Sequence, residues 1–180
     1  SPDLIKALIA TEDVRFRKHS GIDSKGLFRA VVKRGILNQK SGGGGSTITQ
    51  QLAKLLYSPR TETKLGRLFQ KPIEWVIAVK LERFYTKEEI ITMYLNYFDF
   101  LYNAVGIKSA AYTYFGKQPA DLKIEEAAVL VGMCKNPAYY NPVLHGETER
   151  CRGRRNIVLE QMYKATAILA NGHLGLDFRP

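Results

Sequence analysis

The chain has little of what most metal, redox and nucleophilic chemistries require. Its 180 residues hold two cysteines, Cys134 and Cys151, and three histidines. Two thiols cannot build a disulfide framework, and both fall in helical patterns, where a free, buried thiol is the default. No His-Glu-x-x-His run is present, and so few scattered ligands exclude a structural zinc site. The one Gly-Lys pair, Gly116-Lys117, has Ala111 where a phosphate loop needs glycine and Gln118 where it needs serine or threonine. There is no serine-hydrolase elbow, and no serine has a lysine three positions on, which removes Ser-x-x-Lys acyl-enzyme chemistry. No window approaches the roughly 18 consecutive apolar residues of a membrane span, and no signal-peptide pattern opens the chain. The abrupt start at Ser1-Pro2-Asp3, with Asp3 as the expected N-cap, reads as a piece excised from a longer protein.

Acidic residues are also scarce: 17 against 27 lysines and arginines, a net charge of +10. The favoured partners are therefore anionic: nucleic acid, phosphate-bearing substrates or an acidic membrane surface. With 45% hydrophobic and 24% charged residues the chain is globular rather than disordered, and its length suits one domain over residues 1-180.

What is there is helical periodicity. Leu4, Ile5, Leu8 and Ile9 share one face and lead into Glu12-Asp13, two acids at or just past a helix end, where the macrodipole opposes them. Leu27 to Lys40 reads as a basic amphipathic helix suited to a membrane surface, and a mobile loop is expected near residues 38-46, where the glycines cluster. Thr47-Ile48-Thr49-Gln50 forms a capping box that places Ser46, Gln50 and Lys54 on one side. A basic connection from Pro59 to Arg67 precedes an apolar run from Ile73 to Phe84, with Glu74 expected in the first helical turn. Thr86-Lys87-Glu88-Glu89 opens the next helix. A short helix stops at Gly116, an apolar one covers Leu122 to Cys134, and a long one ends near Asn171-Gly172. No strand alternation stands out, so the fold class is mainly α.

Carboxylates are the chemistry left. Glu12 and Glu74 are the pair to examine for proton transfer or electrostatic work at a sugar centre, and Lys54, Lys71 and the arginines could neutralise a phosphorylated leaving group. His19 is a lone histidine, more often a hydrogen-bonded structural residue than a catalyst.

Five motifs then follow one another. Glu12-Asp13-x-x-Phe16-x-x-His19-x-Gly21-Ile22-Asp23 resembles the first motif of the peptidoglycan glycosyltransferases, the family 51 transglycosylase domain of class A penicillin-binding proteins and monofunctional transglycosylases. Gly45-Ser46-Thr47-Ile48-Thr49-Gln50-Gln51-Leu52-x-Lys54 is similar to the second, and Lys71-x-x-Glu74, followed by an apolar helix to Leu81-Glu82, to the third. Tyr94-Leu95-Asn96 with Tyr114-Phe115-Gly116 resembles the fourth, and Glu126-Ala127-Ala128 with Asn136-Pro137 and Tyr140-Asn141-Pro142 the fifth. Three positions depart from the pattern: Leu55, where asparagine is usual, Gln70, where a basic residue is usual, and Leu101, where a glycine is common, so that a tight turn there would lack its usual residue.

The resemblance implies a lysozyme-like helical domain with a flexible, membrane-facing flap. It implies polymerisation of lipid II into glycan strands at the extracytoplasmic, periplasmic face of the bacterial cytoplasmic membrane, with the growing chain as donor and undecaprenyl diphosphate as leaving group. Glu12 is then the general base on the acceptor 4-hydroxyl, and Glu74 organises the diphosphate directly or through a divalent ion, Mg2+ or Mn2+, with no organic cofactor. Ser46, Thr47, Gln50 and Lys54 line the donor site, Lys71 faces the diphosphate, and Asp13, Phe16 and His19 shape the cleft. Moenomycin is the expected inhibitor, and no nucleic-acid partner is expected. Other readings of the residues are a lysozyme-like hydrolase or lytic transglycosylase, a nucleic-acid-binding module and an inactive scaffold.

Overall fold

A computed structural model describes residues 1-35, 45-57, 64-143 and 149-170 of the protein. Among them lie eight α-helices: α1 (Pro2–Glu12), α2 (Ser24–Gly35), α3 (Ile48–Tyr57), α4 (Lys64–Phe84), α5 (Lys87–Tyr97), α6 (Ile107–Phe115), α7 (Ile124–Met133) and α8 (Glu149–Ala170). The β structure of the described residues is one isolated bridge, Asp99 to Val105, so the fold is mainly α as expected. Two compact units divide the chain: Ser1–Val14 with Phe98–Pro180, and Arg15–Tyr97.

In the first unit α1 packs on α7 and α8, which also pack on each other. The sequence makes this core directly. Leu4, Ala7, Leu8 and Ile9 of α1, Leu130, Val131 and Met133 of α7, and Val158, Met162 and Ala165 of α8 are buried. Their three- and four-residue spacings form one stripe per helix. Each fully buried leucine-sized side chain contributes roughly 1.5–3 kcal/mol of transfer free energy. Gly116 closes α6 in the left-handed conformation, φ 63°, as its sequence position suggests.

A tight turn between α5 and α6 forms without its usual glycine. Leu101, Tyr102 and Asn103 all have positive φ, 68°, 52° and 60°, with no glycine among them. The turn forms because its neighbours hold it. The Phe100 N–H donates to the Ala104 carbonyl, the Gly106 N–H to the Phe98 carbonyl, and the Leu101 N–H to Asp99 Oδ1. Tyr114 donates its hydroxyl to the Phe100 carbonyl at 2.6 Å and accepts from Asn141 Nδ2 at 2.7 Å. Burial pushes the Tyr114 phenol up from its usual pKa, and the Asn141 hydrogen bond only partly opposes this.

In the second unit α3 packs on α4 and α5 through Ile48, Leu52, Ala53, Leu81, Ile90, Ile91 and Tyr94. Both capping boxes form. Thr47 Oγ1 accepts from the Gln50 N–H while Gln50 Oε1 accepts from the Thr47 N–H, and Thr86 and Glu89 do the same.

Three expectations change. The N-cap of α1 is Ser1, because Pro2 is already set for the first helical position, so Asp3 lies in the first turn beside Lys6. The presumed connection before Glu74 is helical from Lys64, and α4 runs through Pro72. Glu74 is therefore ten residues into the helix, and the macrodipole does not account for it. The basic helix begins at Ser24, three residues before Leu27. Its Ile36 to Lys40 portion, most of the glycine-rich loop, residues 59-63 of the basic connection and the helix end expected near Asn171-Gly172 lie outside the described residues.

Candidate active site

Glu12 is the last residue of α1, and its side chain is 17% exposed. An acid here faces the negative end of its own helix. The compensation comes from α8, where the buried Arg154 places Nη2 3.3 Å from Glu12 Oε1. Arg154 is held in turn. Its Nε donates to the Gly132 carbonyl of α7 at 3.4 Å, and its guanidinium lies 5.8 Å from the centre of the Tyr140 ring. Asp13, the C-cap, is buried, and its N–H donates to the Ile9 carbonyl. The first unit thus supplies a carboxylate on a rigid helix end, fixed from two other helices.

The second unit supplies the other half of the first motif and all of the second and third. Phe16 is completely buried, so it shapes the unit from within instead of offering a surface. Lys87 lies 4.4 Å from the centre of its ring, and the His19 ring meets it edge-on. Lys87 also donates to the His19 carbonyl at 2.7 Å and pairs with Glu82, whose Oε1 accepts from Thr49 Oγ1 at 2.6 Å. This cluster ties the first motif to α3, α4 and α5. Gly21 adds a close approach: a Cβ there would lie 2.8 Å from the Ala78 carbonyl carbon and oxygen of α4, and φ is +96°. Its carbonyl accepts from Thr47 Oγ1 at 2.6 Å.

On α3, Ser46 Oγ donates to Gln50 Oε1 at 3.1 Å; Thr47 and Gln50 are buried, whereas Lys54 is exposed. Thr47 and Gln50 therefore fix the start of α3, and Lys54 is the cation this helix presents to solvent. On α4, the Glu74 carboxylate is buried at 3% side-chain exposure, and Lys71, half exposed, reaches it at 2.7 Å. This ion pair is local, one helical turn long, with its cation on the solvent side.

Arg154 did not stand out in the sequence, Glu82 only as the end of the third motif and Lys87 only within a capping box. A signal for Arg154 existed: it falls on the buried stripe of α8 marked by Cys151, Val158, Met162 and Ala165. A charged residue on such a stripe is buried against a partner far more often than it is left alone. Cys134 and Cys151 are free and buried, and burial pushes the Cys151 thiol up, with Arg155 opposing, so it is no ready nucleophile. Among the described residues no three His, Cys, Asp or Glu side chains converge as a metal site would require. Beside Glu74 stands an ammonium group, which has no lone pair to give a cation.

The transglycosylase family model matches residues 1–163. The chain is 43% identical over 157 residues to penicillin-binding protein 1F of Bacillus subtilis, covering 87% of this chain and 21% of that protein. It is 40% identical over 161 residues to penicillin-binding protein 1A of Escherichia coli, covering 89% of this chain and 18% of that protein. Against penicillin-binding protein 1A of Aquifex aeolicus the identity is 43% over 162 residues, with 88% of this chain and 21% of that protein covered. The chain thus spans about a fifth of the length of these relatives.

Proposed function

Since the chain belongs to the transglycosylase family, we propose that it is a peptidoglycan glycosyltransferase that polymerises lipid II into glycan strands. In this reading the growing strand is the donor, the 4-hydroxyl of lipid II attacks its anomeric carbon, and undecaprenyl diphosphate leaves with the bonding pair. Glu12 takes the hydroxyl proton. The observation that carries this role is the placement of Glu12: a rigid helix end, against the macrodipole, with its carboxylate held by a buried arginine. Such a group is organised for proton transfer at some expense of local helix stability.

Leaving-group charge is the task of the second unit. Lys71 and Lys54 are the cations its motifs present, and Glu74 fixes Lys71 from beneath. Glu74 is the carboxylate that would hold a divalent ion, Mg2+ or Mn2+, which when bound would offset the charge of the leaving diphosphate. Asp13, Phe16, His19, Ser46, Thr47 and Gln50 act by holding these groups in place. Moenomycin, as a donor mimic, would compete for the same cations.

The work is done at the extracytoplasmic face of the cytoplasmic membrane. No helix of the described residues is long and apolar enough to cross a membrane. Two helices of the second unit nevertheless expose apolar side chains beside cations: Phe28 with Lys25 and Arg29 on α2, and Ile73, Val76 and Phe84 with Lys80 on α4. That composition suits contact with an anionic bilayer surface carrying a lipid-linked substrate.

Polymerisation of labelled lipid II in detergent, read as glycan ladders, tests the proposal. Ladders from the wild-type chain and none from folded Glu12→Gln are the expected result. Equal ladders from both would remove Glu12 from its role, and release of short fragments from finished glycan without use of lipid II would replace the transferase by a lytic enzyme.

A further inference from the structure

We infer that Arg154 is the positioning residue for the general base, holding the Glu12 carboxylate in its reactive orientation from a seat against Gly132. The inference rests on the reading of Glu12 as the base. Three observations within the first unit converge on it. Arg154 is only 9% exposed, and its Nη2 meets Glu12 Oε1 at 3.3 Å, a long-range pair joining α8 to α1. A second nitrogen of the guanidinium is used too, since Nε donates to the Gly132 carbonyl. A Cβ added at Gly132 would lie 3.0 Å from Arg154 Cγ, tighter than almost all real contacts, so the arginine stem lies on bare backbone.

A buried charge costs several kcal/mol to desolvate and survives only where partners are placed for it. Arg154 meets this condition with a carboxylate, a backbone carbonyl and the face of Tyr140. Its planar fork fixes the direction of a carboxylate, which a flexible ammonium cannot do as well. The function of that direction is to turn the Glu12 carboxylate toward an incoming hydroxyl. A misplacement of about 1 Å at such a group can lower turnover about a hundredfold.

Arg154→Ala, Arg154→Lys, Gly132→Ala and Glu12→Gln, each assayed for initial rate against lipid II concentration and for thermal melting, form the test. The expected result is a fall in kcat of about 10- to 100-fold for Arg154→Ala with KM within about twofold. Arg154→Lys recovers part of that loss, and Gly132→Ala, which only displaces the arginine stem, loses kcat several-fold. If Arg154→Ala does not melt cooperatively, Arg154→Lys and Gly132→Ala decide. Unchanged kcat in the folded variants, or a loss expressed in KM, overturns the positioning role, the second outcome making Arg154 a substrate contact. The Glu12→Gln arm separates the two levels: if it retains activity, the base assignment fails, whereas an inactive Glu12→Gln beside fully active Arg154 variants removes the arginine proposal alone.

Discussion

Two carboxylates anchor the two units, and they are held in opposite ways. Glu12 pairs with an arginine 142 residues away, nearly buried and fixed by α7 as well. Glu74 pairs with Lys71, three residues away on the same helix and half exposed. A long-range buried pair can exist only when three helices are packed, so its geometry is as rigid as the core. A local pair with a half-exposed cation forms whenever α4 forms, and the side of the cation turned away from Glu74 stays open to solvent. The difference fits the division of labour proposed above: a base needs fixed direction, whereas a diphosphate is met by a cation that Glu74 anchors at the solvent-facing side of its helix.

The largest effect should fall on the rigid member. Glu12→Gln removes the proton acceptor while keeping the shape, and lipid II polymerisation should drop by about 10²- to 10⁴-fold with melting unchanged. Replacing Lys71 by Met should cost less, about tenfold, the size of one hydrogen bond between charged groups. The two cations should also respond differently to salt. Raising ionic strength from 0.05 to 0.5 M should narrow the gap between wild type and Lys71→Met, because the half-exposed ammonium is screened. A Lys71→Met deficit that stays constant with salt would mean that Lys71 works as a buried contact, and the contrast with Arg154 would dissolve.

Both units also place a glycine beneath their key helix, and the next test compares these. At Gly132 an added methyl meets a side-chain carbon, which can give by a few tenths of an ångström. At Gly21 it meets the backbone of α4 at Ala78, one turn beyond Glu74, in a conformation with φ +96°. Gly21→Ala should therefore destabilise the protein by about 2–4 kcal/mol, seen in denaturant midpoints, through strain at positive φ and displacement of α4. Gly132→Ala should stay under about 1.5 kcal/mol. Equal losses would show that α4 yields as readily as a side chain.

Much of this was readable from the residues, and the misses have physical causes. Helices with a single apolar stripe, such as α1 and α8, follow from spacing alone, and the boxes at Thr47 and Thr86 from two polar side chains at a fixed offset. Glu74 was misplaced because the apolar run that marks the helix starts only at Ile73, whereas the helix already begins at Lys64 and continues through Pro72. Glu12 was legible as an acid in an uncomfortable place, but its relief by Arg154 was not, since no local pattern links residues 142 apart. The division of the chain into two units was equally hidden: the first begins with Ser1–Val14 and resumes only at Phe98.

The smallest effect tests the turn at Leu101, which inverts the logic of Gly21. There the chain uses glycine for a positive φ, whereas Leu101, Tyr102 and Asn103 hold three such angles with side chains attached. Left-handed backbone costs about 1–2 kcal/mol for a residue with a Cβ, and glycine costs about 0.5–1 kcal/mol in extra chain entropy. Leu101→Gly should therefore stabilise the folded state by roughly 0.5–1 kcal/mol. The network that holds the turn sets the opposite limit. Tyr114→Phe leaves the buried Asn141 amide and the Phe100 carbonyl each without this partner, and should cost about 1–3 kcal/mol. The raised pKa of Tyr114 adds a sign that can be checked. Its contribution is complete below the phenol's ordinary value of 10.0 and is lost as pH rises through the higher folded value, so wild type and Tyr114→Phe should converge in stability on the alkaline side. If Leu101→Gly destabilises instead, the leucine side chain contributes more in packing than its backbone loses in strain, and the turn is held by Leu101 as well as by Tyr114.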